Sequence, residues 1–129
     1  MRNASLAIRK TMRGPLPRVP FEKLSKEILG GQYELSLVVC GDALARRMNE
    51  EYRKKTYRPN VLSFPLSTHE GEIFLNVQRA AREAKKYGTT LQKRVALLFV
   101  HGCFHLKGLT HGRAMEAKER AILSRFNLA

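Results

Sequence analysis

Cysteine, acidic residues and long apolar runs are all scarce in this 129-residue chain, and each scarcity excludes a class of protein. The two cysteines, Cys40 and Cys103, are too few for a disulfide framework and lie in apolar segments, so we expect reduced, buried thiols. No apolar run approaches the roughly 20 residues needed to span a bilayer, and neither end has a secretory pattern. These features predict a single domain over residues 1–129, which we expect to be cytoplasmic and without membrane partners.

The shortage of acidic residues leaves a strongly basic chain. Eleven Asp and Glu residues accompany 24 Lys and Arg residues, which gives a net charge of +13 at pH 7. Such an excess is typical of a surface that binds a polyanion, although it could serve solubility alone. Its distribution favours polyanion binding, because one basic group lies in the first 21 residues without an acidic partner and a second is clustered just before the VLSF segment. These groups are Arg2, Arg9, Lys10, Arg13 and Arg18 in the first, and Arg53, Lys54, Lys55 and Arg58 in the second.

Apolar periodicity predicts alternating strands and helices with short connections. Asp42 is expected to cap a helix, and Val77, Ala80, Ala81 and Ala84 to give the next helix a small-residue face. The helix predicted over residues 91–107 is apolar all round in VALLFV, which indicates burial at the centre of the domain. The pattern indicates an α+β domain with a mixed sheet of about four strands and about five helices. The predicted strands lie near residues 4–10, 33–39, 61–64 and 72–75.

The segment HGCFHLKGLTH contains three of the four histidines, His101, His105 and His111. His101 and His105 are four residues apart, so both rings project from one face of a helix. Gly108 can end that helix in the left-handed conformation and turn the chain so that His111 returns to the same point. Three imidazoles with an open fourth position are typical of catalytic zinc, so we predict one Zn²⁺ per chain, able to lower the pKa of a coordinated water toward about 7. The alternative is a chance cluster of unrelated core and surface histidines.

The same histidine spacing occurs in the metzincin proteases, where a glutamate after the first histidine acts as general base. Gly102 occupies that position here and has no side chain to accept a proton. A peptide-cleaving metal hydrolase is therefore disfavoured, as it also is by the net charge. His69 lies in a polar segment beside Glu70 and is expected at the surface rather than as a fourth ligand.

The histidine segment resembles the His-Gly-x-x-His-Leu-x-Gly-x-x-His signature of the YbeY family, metal-dependent endoribonucleases of bacterial ribosomal RNA maturation. Four more blocks resemble family segments and follow in family order: MNEEYR at 48–53, RPNVLSFP at 58–65, GEIFLN at 71–76 and AMEAKE at 114–119. Three features depart from the pattern. Thr110 and Glu72 each stand where the family usually has Asp, and Pro59-Asn60 stands where Pro-Thr-Asp is common. An aspartate before the third histidine could orient a ligand, whereas threonine carries no charge.

The resemblance implies a zinc-dependent, single-strand-specific endoribonuclease of ribosomal RNA processing and ribosome biogenesis. Its implied partners are single-stranded or precursor ribosomal RNA and ribosomal particles. Arg53 and His111 are expected to act in catalysis, because a guanidinium fork matches phosphate oxygens and His111 completes the metal site. The alternative for Arg53 is a surface arginine that ends a helix, and the alternative function is a non-catalytic, zinc-containing RNA-binding assembly factor. The residues expected to contact RNA are Arg53, Lys54, Lys55, Arg58 and Ser63.

Overall fold

Five helices and a four-stranded sheet make up the computed structural model, which describes residues 5–129. The elements are β1 (Ser5–Lys10), α1 (Phe21–Leu29), β2 (Glu34–Cys40), α2 (Asp42–Arg53), β3 (Val61–Ser67), β4 (Glu70–Asn76), α3 (Val77–Tyr87), α4 (Leu91–Leu106) and α5 (Arg113–Arg125). The strand order is β1-β2-β4-β3, with β3 antiparallel to β4 and the other pairs parallel. The predicted α+β class and mixed sheet are confirmed. Arg2 and the first residue of the predicted strand 4–10 lie outside the described residues.

β2 is buried on both faces, as its apolar sequence predicts. Leu37 and Val39 belong to the large core, whereas Val38 and Cys40 belong to a smaller cluster. Successive side chains of a strand point to opposite faces of the sheet, so the two clusters lie on its two sides. α2 covers the smaller cluster, and the other helices pack over the large core.

α4 passes through the large core, and eight of its 16 residues are buried. Phe99 is fully buried and meets Phe21 edge to face, with ring centroids 4.9 Å apart. Burial of one such side chain contributes about 1.5–3 kcal/mol. Close approach to the sheet depends on Gly102, where an added Cβ would lie 3.0 Å from Ser63 Oγ and 3.1 Å from Ile73 Cδ1. The absence of a side chain at Gly102 therefore sets the distance between the sheet and the part of α4 that bears His101 and His105.

Two local predictions are wrong, and one on the cysteines is confirmed. The N-cap of α2 is Gly41, and the Asp42 carboxylate instead accepts two hydrogen bonds from Arg82 at 2.8 and 2.9 Å. These bonds lower the pKa of Asp42 to about 2. Ala81 is exposed, because the core-facing residues of α3 are Val77, Ala80 and Ala84. Both cysteines are buried and free, as expected. Within the described part of the chain, no helix is long and apolar enough to cross a membrane.

Candidate active site

The second half of α4 and the turn after it form one wall of a cleft of about 790 Å³. α4 ends at Leu106, and Gly108 follows with a φ of 102°, in the left-handed region that favours glycine. The chain reverses there toward α5, as the sequence predicted. We name this space the histidine cleft, and its lining includes His101, His105, His111, Arg53, Ser63 and Glu119.

His101 and His105 face each other at the cleft surface, with their Nε2 atoms 3.0 Å apart. The other nitrogen of each ring already has a partner. His101 Nδ1 lies 2.6 Å from Glu119 Oε2, and His105 Nδ1 lies 3.2 Å from the Leu109 carbonyl oxygen. Carboxylate and carbonyl oxygens only accept, so each Nδ1–H donates and each Nε2 of a neutral ring is an acceptor. When both rings are neutral, two acceptors therefore face each other, an arrangement that a cation or a shared proton would stabilise.

Electrostatics favour the neutral form of one of these rings. Desolvation in the cleft lowers the pKa of His105, and the neighbouring His101 lowers it further. The hydrogen bond to Leu109 acts in the opposite direction without reversing the shift. Neutral imidazole is the form that binds a metal ion, so the environment of His105 suits a ligand.

His111 lies beside this pair without completing it. Its ring centroid is 5.6 Å from that of His101, compared with 4.5 Å between His101 and His105. Its side chain is 70% exposed, and Nε2 lies 3.8 Å from Glu116 Oε1. Among residues 5–129, no three His, Cys, Asp or Glu side chains are assembled as a ready-made metal site. The fold thus brings all three predicted ligands into one cleft, with two in contact and the third adjacent.

Two of the predicted RNA-contacting residues line the histidine cleft. Arg53 is the last residue of α2, and no carboxylate of the described chain pairs with it. Ser63 on β3 donates a hydrogen bond from Oγ to the Gly102 carbonyl oxygen at 3.2 Å. One hydroxyl therefore joins the sheet to the turn of α4 that carries the histidines.

The remaining predicted residues lie elsewhere. Lys54 and Lys55 follow α2, are exposed and do not line the histidine cleft. Arg58 lines a neighbouring cleft instead. His69 is exposed in the turn between β3 and β4, as expected for a surface histidine.

Sequence comparison identifies the family of this chain. The family model described as Endoribonuclease YbeY matches residues 7–127. The chain belongs to the YbeY family. Endoribonuclease YbeY of Bordetella petrii is 43% identical over 106 residues, which cover 74% of this chain and 68% of the relative. Endoribonuclease YbeY of Pelotomaculum thermopropionicum is 34% identical over 139 residues, covering 95% and 91%. The predicted YbeY membership is confirmed, and so is the prediction of an RNA-cleaving enzyme.

The YbeY fold is also found in a solved structure. A protein of Thermotoga maritima, solved in solution, matches with a TM-score of 0.66 and covers 93% of this chain and 91% of its own. The two sequences are 19% identical, so this likeness shows the shared fold.

Sequence reasoning assigned no role to Glu119, although its AMEAKE block resembles a YbeY segment. Its side chain is buried on α5, and its carboxylate holds His101 Nδ1 at 2.6 Å. Met115 and Ile122, on the same face of α5, are both core residues. An acidic residue at a core-facing helical position, among apolar neighbours, is the signal that could have identified it, because a buried charge requires a partner.

Arg120 was also missed. It follows Glu119 on α5 and lines the histidine cleft, while α2 contributes Arg53. No carboxylate among residues 5–129 pairs with Arg120. An exposed arginine on a helix cannot be recognised as a site residue from the sequence of a chain with 24 basic residues. Only the fold brings it to the histidines.

Proposed function

We propose that this chain is a zinc-dependent endoribonuclease that cuts single-stranded RNA during ribosomal RNA maturation, with one zinc held by His101, His105 and His111. Membership of the YbeY family supports the cleavage of RNA. The observation that carries the metal proposal is the 3.0 Å contact between His101 Nε2 and His105 Nε2, the ring nitrogens left free by the partners of the two Nδ1 atoms.

The donor atoms fit zinc in spacing and in chemistry. Two nitrogens bound to one tetrahedral zinc at 2.0–2.1 Å are about 3.3 Å apart, close to the separation of the facing Nε2 atoms. Glu119 and the Leu109 carbonyl fix the tautomers from outside, as partners of zinc-bound histidines usually do. With the adjacent His111 as the third ligand, one position stays open, which is typical of catalytic zinc.

Arginines on opposite elements would hold the phosphate that reacts. Zinc, when bound, supplies Lewis acidity toward water and phosphate oxygens. Arg53 from α2 and Arg120 from α5 both line the histidine cleft and are free of carboxylate partners within the described chain. A guanidinium offers paired donors to phosphate oxygens and stabilises the charge that develops on them. Arg53 and Arg120 would therefore clamp the scissile phosphate beside the histidines.

Charge supports RNA as the substrate and indicates further phosphate contacts just after α2. The chain carries a net charge of +13, and the exposed Lys54 and Lys55 continue directly from Arg53. Contacts between these lysines and flanking phosphates would release counterions and strengthen binding at low salt. We assign ribosomal RNA and ribosomal particles as the physiological partners on the basis of the family resemblance.

Elemental analysis of the purified protein, paired with cleavage of a single-stranded RNA, tests the proposal. We expect one zinc per chain in the wild type and in His69→Ala, which removes the exposed histidine outside the cleft. His105→Ala should lose both the zinc and the cleavage, since two imidazoles bind far more weakly than three. The same RNA annealed to its complement should be cut much more slowly.

Two outcomes would contradict this assignment. Equal zinc content in His105→Ala and His69→Ala would show that the metal lies elsewhere. A zinc-loaded wild type that binds single-stranded RNA without cutting it would instead be a non-catalytic assembly factor.

A further inference from the structure

A second cleft, of about 480 Å³, lies between the loop after α2 and the outer face of α3. We name it the tyrosine cleft, because two of the most exposed aromatic rings of the described chain line it. Tyr57 is 48% exposed and Tyr87 is 58% exposed. Its basic lining residues are Arg58, Arg79, Arg82 and Lys86.

The carboxylates near this cleft are already neutralised. Glu83 accepts from Arg79 at 3.1 Å and from Arg94 at 3.0 Å. Arg82 is bound by both oxygens of Asp42. The four basic lining residues and Arg94 thus accompany two carboxylates, Glu83 and Asp42, which leaves an excess of three positive charges. Arg58 and Lys86 form no salt bridge within residues 5–129, so their charges are available to an anion.

The two tyrosine rings suit unpaired bases. An exposed aromatic ring beside basic side chains is the combination by which proteins bind single-stranded nucleic acid, with bases stacked on rings and phosphates held by cations. The Arg94 guanidinium lies 5.1 Å from the centre of the Tyr87 ring, and Lys86 Nζ lies 5.5 Å from it. These cations accompany the ring while more than half of the Tyr87 surface stays exposed.

The tyrosine cleft shares a wall with the histidine cleft. Asn60 and Arg94 line the histidine cleft, whereas Glu83 lines the tyrosine cleft. Asn60 Nδ2 lies 3.2 Å from a Glu83 oxygen, and Arg94 Nε lies 3.0 Å from the other. The wall between the clefts therefore includes the contacting side chains of Asn60, Arg94 and Glu83, so an RNA strand that leaves one cleft would lie next to the other.

We propose that the tyrosine cleft is a second RNA subsite, which stacks unpaired bases flanking the scissile bond on Tyr57 and Tyr87 and holds their phosphates with Arg58 and Lys86. The proposal rests on cleavage of single-stranded RNA in the histidine cleft. It assigns a preference for unpaired RNA to residues that contact neither the histidines nor the scissile phosphate.

A length series of oligouridines, from three to twelve nucleotides, tests the subsite in the zinc-loaded enzyme. In the wild type, kcat/KM should rise with length as flanking nucleotides reach the tyrosine cleft. The ratio of kcat/KM for the longest and shortest substrates should fall by roughly 5- to 100-fold in the Tyr57→Ala, Tyr87→Ala double variant, the range expected for loss of base stacking. The matched Tyr57→Phe, Tyr87→Phe double variant keeps both rings and should keep the ratio. Both tyrosines are largely exposed, so circular dichroism should show the same fold in all three proteins.

The subsite is refuted if the double alanine variant retains the wild-type ratio, or if the phenylalanine variant loses it equally. A polyglutamate peptide that competes with RNA as well as polyuridylate of equal charge would also overturn it, because the cleft would then respond to charge alone. Failure of the underlying function has a different signature. In that case the wild type cuts none of the oligouridines, whereas failure of the subsite alone leaves cleavage intact with the same length dependence in every variant.

Discussion

Replacing Glu119 by glutamine should weaken zinc binding without unfolding the protein. Glu119 is 5% exposed, and its Oε2 lies 2.6 Å from His101 Nδ1. The amide oxygen of glutamine can still accept the Nδ1–H bond, so the tautomer of His101 is kept while the negative charge behind the ring is lost. Loss of such an outer carboxylate typically weakens metal affinity by about 10- to 100-fold, which corresponds to roughly 1.4–2.7 kcal/mol.

The stability of the metal-free protein should respond differently. A buried carboxylate is expensive to desolvate, and a neutral isostere is often tolerated or stabilising. We therefore expect Glu119→Gln to leave the free energy of unfolding of the metal-free chain unchanged or slightly raised. Glu119→Ala should lower it, because the Nδ1–H of His101 loses its acceptor and a buried volume is left empty.

Competition against a zinc chelator of known affinity measures the first effect, and urea denaturation of the metal-free protein measures the second. Glu116→Gln is the matched control. Its side chain is 47% exposed and lies 3.8 Å from His111, so its removal should change zinc affinity by less than about threefold, as for an exposed pair. A Glu119→Gln variant that binds zinc within twofold of the wild type would refute the orienting role of this carboxylate.

Three further predictions concern other parts of the chain. Arg53→Ala should retain zinc and the fold, yet its rate of RNA cleavage should fall by about 100-fold or more. Arg53→Lys should recover only part of this rate, because an ammonium group replaces the paired donors of the guanidinium. Equal cleavage rates in the wild type and both variants would exclude a phosphate-binding role for Arg53. Gly102→Val should lower the free energy of unfolding by about 2 kcal/mol, measured in urea, since the added atoms would press on Ser63 and the sheet. Asp42→Asn should destabilise by about 1 kcal/mol at pH 7, because Arg82 bonds are weakened at a partly exposed site. The pKa of Asp42 is lowered to about 2, so these bonds stabilise the fold above about pH 3.9 and fade as the pH falls toward 2. Thermal melts should therefore show the variant and the wild type converging in acid, and a constant difference would contradict the assignment.

The sequence predicted those parts of the fold that depend on local pattern. The apolar run of α4 and the double-faced burial of β2 follow from side-chain periodicity, which operates within a few residues. The turn at Gly108 follows from the one residue type that readily adopts its positive φ. The histidine spacing alone placed His101 and His105 on one helical face.

The interactions that the sequence did not reveal are long-range. Glu119 reaches His101 across 18 positions, and Arg82 reaches Asp42 across 40. Asp42 fits the local sequence rule for a helix cap. Its carboxylate instead binds Arg82 of another helix, because two charged hydrogen bonds stabilise it more than one bond from a backbone amide would. The apolar periodicity of a sequence does not determine which distant helix will lie against a given carboxylate.

The position of Glu119 also bears on the departure at Thr110. In this family an aspartate usually precedes the third histidine, and its absence removes one carboxylate that could orient a ligand. The fold provides a carboxylate at one of the three proposed ligands by another route, since Glu119 holds His101. Glu119 comes from α5, which begins directly after the histidine turn, so the orientation of the proposed metal site depends on how that helix docks. Threonine at position 110 is then compatible with a functional centre, because Glu119 supplies a negative charge behind His101 from the core side of the cleft.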